Sequence, residues 1–434
     1  MIIRLVTICA LSIGLLLASS TPAHALPRFA ARGGNECIQC HVNPTGGGMR
    51  NSYGRNVFER VWLPFSVRPR GEDVQLELDG AIEAGWDEEA LLGNKDDDKP
   101  FVSFSGDITD WLAIGGDIRV AYIWIRPDRG IEPGVERNIT NSFFLMQADL
   151  YIGATATDHI TFYLDLGVYS GFEAWGLYQL KPEPEDFDFM IKVGRFMPAF
   201  GIREVEHQLF TRERIGLGNA DRDTGLELTA YVGPLTVNAA LVNGTLGDSA
   251  FDGHGTERRR FEKAVVGRLS LRRDFGVLRA QVGGSIYWNN NIGQANPIFG
   301  SSIPDDLLVE VSTGLDELRW GAFATANIGP FTYLGDLVFV RDDFYSDQIG
   351  SLRGYASYQE LSFLPVQGVE LVTTFEFMDP DVELAGNSII RAGWIVEFFP
   401  WPYTEFRVMV RRTWDDASLT GGAWDMVFFV HLFI

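Results

Sequence analysis

Apolar and polar residues alternate with a period of two along most of this chain. Val74, Leu76, Leu78, Ile82, Ala84 and Trp86 interleave with Gln75, Glu77, Asp79 and Glu83, which gives a strand one apolar and one charged face. The pattern returns at Ile160, Phe162, Leu164, Leu166 and Val168, at Leu278, Ala280, Val282, Ile286 and Trp288, at Phe331, Tyr333, Leu337 and Phe339, and at Val369, Leu371, Phe375 and Phe377. The periodicity predicts an all-β protein.

The connections between these strands sort by length. Short ones fall near Ile108, Ala156, Gly233-Pro234, Arg273, Gly329-Pro330, Leu364 and Pro400-Trp401-Pro402. Long ones fall near 87–99, 126–140, 196–223, 245–261, 289–317, 342–351, 379–386 and 414–422. Short turns at one end and long loops at the other are the habit of an outer-membrane barrel, whereas a soluble sandwich has no reason to sort its loops. Counting strands gives about 18, and merging the weakest hairpin, at residues 169–173, gives about 16, both even as such barrels require. The fold class expected is a transmembrane antiparallel β-barrel of 16 to 18 strands. Met426, Phe428, Val430, Leu432 and Ile434 line one face of its last strand, with Phe433 one place off the terminal aromatic position usual for such barrels.

Residues before the strands read differently. Arg4, the apolar run from Leu5 to Leu17 and the small residues of Ala23-His24-Ala25 make an export signal over 1–25, so the mature chain is expected to begin at Leu26. Residues 26–72 are then a short turn-rich segment, and 73–434 the barrel. Aromatic residues make up 13% of the chain, and many tryptophans stand at strand ends, as interfacial girdles do. A net charge of −22 excludes nucleic acid as a partner and attracts cations. Asp87, Glu88, Glu89, Asp96, Asp97 and Asp98 form one acidic loop able to gather a divalent cation such as Fe(II), or simply a solvated loop tip.

The chemistry is concentrated in Cys37-Ile38-Gln39-Cys40-His41. Two thiols at this spacing can each add to a haem vinyl group, and the next histidine can ligate the iron, which makes the motif the signature of covalent haem c attachment. A disulfide, a redox pair or half of a zinc site would use the same two cysteines, but the sequence offers no second C-x-x-C or H-x-x-x-H to complete a zinc site. Cys37 and Cys40 are therefore the expected covalent haem sites and His41 the proximal ligand. For the distal side the candidates are Met49, which Gly46-Gly47-Gly48 could carry round the haem edge, and His207. No nucleophile and base pair, phosphate loop or metalloprotease motif accompanies them.

Leu26-Pro27-Arg28-Phe29-Ala30-Ala31-Arg32, then the haem motif, then Asn51-x-Tyr53-Gly54-Arg55 ahead of a barrel, resembles the fused monohaem cytochrome-porins of the outer membrane. The resemblance implies electron transfer between an extracellular donor, Fe(II) in some members, and periplasmic c-type cytochromes; an activity, if there is one, would be that of an Fe(II):cytochrome oxidoreductase. Val193-Gly194-Arg195-Phe196-Met197-Pro198-Ala199-Phe200-Gly201, with Phe210-Thr211-Arg212, Arg222-Asp223-Thr224-Gly225 and Val242-Asn243-Gly244, resembles the phosphate-selective porins. That likeness implies a loop over 202–223 folded into the pore, and the alternative function of a substrate-specific porin with the haem segment as a plug or regulator. Arg203, Arg212, Arg214 and Arg222 are balanced there by Glu204, Glu206, Glu213, Asp221 and Asp223, so phosphate selectivity does not follow. Membrane lipid is the remaining expected partner.

Overall fold

The computed structural model describes residues 27–66, 107–109, 111–129, 139–168, 172–181, 187–204, 208–218, 221–244, 263–291, 315–344, 350–415 and 421–434. The export signal, the strand at 74–86, the acidic loop at 87–98 and His207 lie outside the described residues.

Every strand from β2 (Leu112–Pro127) to β17 (Gly422–Phe433) pairs antiparallel with the next, and β17 pairs in turn with β2, from Ala423 against Pro127 to Phe433 against Asp117. The result is a closed barrel of sixteen strands. A three-residue strand, β1 (Asp107–Thr109), folds back on the start of β2. The hairpin between β4 (Ile160–Gly167) and β5 (Phe172–Gln179) is present, so sixteen does not arise from merging it; it arises because the wall begins at Leu112. Loop sorting is correspondingly looser than the sequence suggests. The four residues between β4 and β5 sit at the long-loop end, and the seven between β5 and β6 (Phe187–Phe196) sit at the short-turn end.

The alternation decides which face is which. On β14 (Val369–Asp379), Leu371 and Phe375 are 41% and 45% exposed on the outside, while Glu370 and Glu376 are 1% and 2% exposed within. Outward Trp111, Phe275 and Trp401 ring the short-turn end, and Trp288, Trp320, Trp414 and Trp424 ring the other. A closed ladder leaves no unpaired backbone for lipid, and an apolar outer band with aromatic rims matches a bilayer. This is a bacterial outer-membrane barrel.

Its lumen is filled from both ends. Residues 27–66 enter and leave at the short-turn mouth: Phe65 and Ser66 N–H groups donate to the Phe399 and Pro400 carbonyls at 2.7 and 3.1 Å, and Gln367 Nε2 donates to the Pro64 carbonyl at 2.8 Å. From the other side, the connection from β6 to β7 (Asp223–Val232) crosses the interior as the porin resemblance implies. Its N–H groups at Ala199, Gly201 and Phe210 donate to Glu227, Ser285 and Glu376, and Arg319 donates to the Ile215 carbonyl. Backbone groups inside a barrel must find partners there, and inward-facing wall side chains supply them.

Candidate functional site

The inserted segment begins with helix α1 (Pro27–Gly33), which carries two buried arginines into the wall. Arg28 meets Glu360 of β13 (Ser351–Val366) at 2.8 Å and Glu397 of β15 (Ile389–Phe398) at 2.6 Å, and Arg32 meets Glu370 at 2.6 Å. Guanidinium forks suit paired carboxylates, and in a dry interior each partner would be costly alone. Phe29 packs with Phe58, Trp62 and Leu63 of the wide π-helix Tyr53–Trp62 and its end, and with Phe399 and Phe433 of the wall. Phe433 points inward because its register is that of Asp425 and His431, and the Arg50 guanidinium lies over its ring at 4.8 Å.

Between these helices lies the cysteine motif. Cys37–Gln39 form one 3₁₀ turn, opened by Glu36, whose N–H donates to Gln39 Oε1 at 2.8 Å, and the His41 N–H donates to the Cys37 carbonyl at 2.9 Å. His41 then pairs with Arg50 as an antiparallel bridge, flanked by Val42 N–H to Met49 O at 3.1 Å and Asn51 N–H to Cys40 O at 3.0 Å. The turn that closes this small hairpin runs through Gly46, Gly47 and Gly48, all with φ between 64° and 84°. Three successive left-handed residues are open to glycine and strained for anything else. Wall residues grip the turn: Lys192 Nζ donates to Asn43 Oδ1 at 3.1 Å, Tyr231 Oη to the Pro44 carbonyl at 3.3 Å, and the Met49 N–H to Tyr163 Oη at 3.1 Å.

A Cβ on Gly48 would fall on that tyrosine oxygen. Gly48→Ala is therefore expected to cost roughly 1–2 kcal/mol for the left-handed backbone alone and to break the Met49–Tyr163 bond besides. Limited proteolysis of the folded barrel should then cut residues 27–66 faster than in the parent chain.

A cavity opens where the segment, the crossing loop and the wall meet. Cys37, Cys40, His41 and the three glycines line it from the segment, and Met197, Pro198, Ala199 and Phe200 line it from the loop. Arg119, Arg203, Arg268 and Arg272 line it too, beside Asp117, Asp149 and Asp165. Cys37 and Cys40 are not joined as a disulfide. Burial pushes the Cys40 thiol up to about 12, with Cys37 adding to it, and burial likewise raises Cys37, with Glu36 adding and Arg268 opposing. A redox-active pair needs an exposed thiol of lowered pKa, whereas burial raises both of these. Both thiols and the histidine on one cavity, which apolar loop residues and guanidiniums also line, make a donor set that fits haem c.

Met49 is elsewhere. Its side chain is buried with Tyr151 and Tyr163, its sulfur 3.1 Å from where a Gly153 Cβ would stand, and it does not line the cavity. Two other residues do: Met197, hidden inside a motif read for the barrel type, and His431, whose parity on β17 points it inward. His431 is held by both ring nitrogens, Nε2 to Asp117 at 2.8 Å and Nδ1 to Glu405 at 3.0 Å.

No protein-family model matches the sequence, and no curated protein matches it either. Solved structures do. The anion-selective porin from Comamonas acidovorans is 11% identical over 74% of this chain and 99% of its own, with a TM-score of 0.50. The barrel has the fold of a porin. Other porin-fold matches include the outer-membrane channel DcaP of Acinetobacter baumannii (10% identity, 74% and 97% covered, TM-score 0.49) and OmpT of Vibrio cholerae folded in vitro (10%, 76% and 99%, 0.49).

Proposed function

We propose that this porin-fold barrel is an outer-membrane electron-transfer protein carrying one covalent haem c in its lumen. Residues 1–25 are the export signal in this reading, 26–72 the haem-binding segment and 73–434 the barrel. The observation that carries it is the meeting of Cys37, Cys40 and His41 on one cavity inside a membrane-spanning wall. Bound there, haem c supplies a one-electron carrier within the thickness of the membrane. The chain's own residues do the rest. Cys37 and Cys40 would hold the group by thioethers and His41 would ligate its iron, while Phe29, Phe200 and Phe399 give the same cavity apolar walls. Arg203, Arg268 and Arg272 face the cavity with the charge its propionates need. Fe(II) as the extracellular donor and periplasmic c-type cytochromes as acceptors rest on the resemblance of the N-terminal segment to the fused cytochrome-porins.

The likeness to solved structures favours a second reading over this one. The porin fold and the crossing loop favour a substrate-specific porin in which residues 27–66 are a plug or regulator. The two part in one experiment on protein made with cytochrome maturation. Electron transfer predicts a c-type spectrum in the outer-membrane fraction that Fe(II) reduces, and a closed channel in a planar bilayer. Steady ion conductance that haem reduction leaves unchanged, or a chain without covalent haem, would decide for the porin.

A further inference from the structure

If the cavity holds haem c, as proposed above, its iron has a second axial face, and the segment itself offers little for it. Met49 is packed into the wall side of the hairpin, against Gly153. Among the described residues lining the cavity, carboxylates apart, the other side chains of the kinds that ligate haem iron are Tyr151, His431 and Met197. Tyr151 gives its hydroxyl to Asp117 at 2.5 Å, and His431 has each ring nitrogen on a carboxylate. Met197 has a thioether, lies only 4% exposed, and carries no such commitment.

Its backbone is also fixed relative to the haem motif. Met197 follows the last residue of β6 and precedes Pro198, which confines it to an extended conformation. Two residues on, the Ala199 N–H donates to Glu227 Oε2 at 3.1 Å, and the other oxygen of that carboxylate meets Lys192 Nζ at 2.6 Å. Lys192 in turn donates to Asn43 Oδ1 and Thr45 Oγ1, at 3.1 and 3.4 Å, in the turn directly after His41. One lysine and one glutamate thus tie β6 and the start of the loop carrying Met197 to the segment carrying His41.

We propose that Met197, from the barrel's crossing loop, is the distal ligand of the haem iron, so that the inserted segment and the barrel each supply one axial ligand. A thioether opposite an imidazole raises the reduction potential and closes the iron to small molecules. A haem held this way is complete only when the segment is seated in its own barrel.

The test uses full-length protein, matured with haem and folded in the outer membrane, in parent, Met197→Ala, Met197→His and Met49→Ala forms. The parent and Met49→Ala should both show the sulfur-to-iron charge-transfer band of the oxidised protein. Met197→Ala should keep its covalent haem on a denaturing gel and its barrel mobility, lose that band, bind carbon monoxide when reduced, and fall in midpoint potential. Met197→His should lose the band, keep the iron closed to carbon monoxide, and fall in potential as well, which separates ligation from misfolding. A band that survives Met197→Ala, or that disappears in Met49→Ala, overturns the proposal while leaving the haem reading standing. A parent chain with no covalent haem overturns both.

Discussion

Replacing Cys37 and Cys40 together by alanine is expected to remove all covalent haem while leaving the barrel in the outer membrane. Each thioether needs its own sulfur, and among the described residues there is no other cysteine to substitute. The wall does not depend on them, because its sixteen strands pair from β2 round to β17 without any ladder contribution from the segment. Peroxidase staining of a denaturing gel reads the first part, and heat-modifiable mobility of the barrel reads the second. His41→Ala separates attachment from ligation: haem stays on the two cysteines, and the spectrum loses its low-spin form. If the double alanine chain stains as strongly as the parent, the cysteine motif is not a haem site.

Arg28→Ala should loosen the inserted segment and turn a closed barrel into a leaky one. The arginine is 3% exposed and answers two carboxylates, Glu360 and Glu397, that are 1% and 0% exposed. Removing one partner of a buried ion pair costs about 3–5 kcal/mol, because the other charge stays desolvated. Here two carboxylates lose their shared cation at once, although Arg407 still reaches Glu397 at 2.7 Å. The barrel ladder is untouched, so the loss falls on the seating of residues 27–66. Single-channel recording should show openings that the parent lacks, and trypsin should cut the segment faster in isolated outer-membrane fragments, where the short-turn mouth is open to it. Adding Glu360→Gln to Arg28→Ala removes the stranded charge and should restore much of the closure. Equal conductance in parent and Arg28→Ala would mean that the segment is held by its apolar contacts alone.

Much of this architecture was legible because a barrel repeats a two-residue rule sixteen times. Val369 to Phe377 predicts its own inside and outside, and the wall agrees residue by residue. The inward loop was legible only through likeness to a porin motif, since nothing in the spacing of Ala199, Ile202 or Phe210 says that their backbone partners are Glu227, Asp336 and Glu376. The cysteine motif was legible as candidate chemistry, but not its surroundings. Met49 is close to the motif along the chain, yet the bridge between His41 and Arg50 forces neighbours on a strand to opposite faces and turns its sulfur into the wall. The partners of Arg28 and Arg32 come from strands 369 and 338 positions away in sequence, and Lys192 reaches back 149 positions to Asn43, separations that no local pattern encodes.

Phe433, one residue from the end of the chain, rests on Phe29 and the π-helix, and its strand forms the seam with β2. The first described segment and the last strand therefore meet at one side chain. If haem c occupies the cavity, as proposed, it would have to reach Cys37 and Cys40 before β17 closes on β2, and removing β17 would open the wall around it.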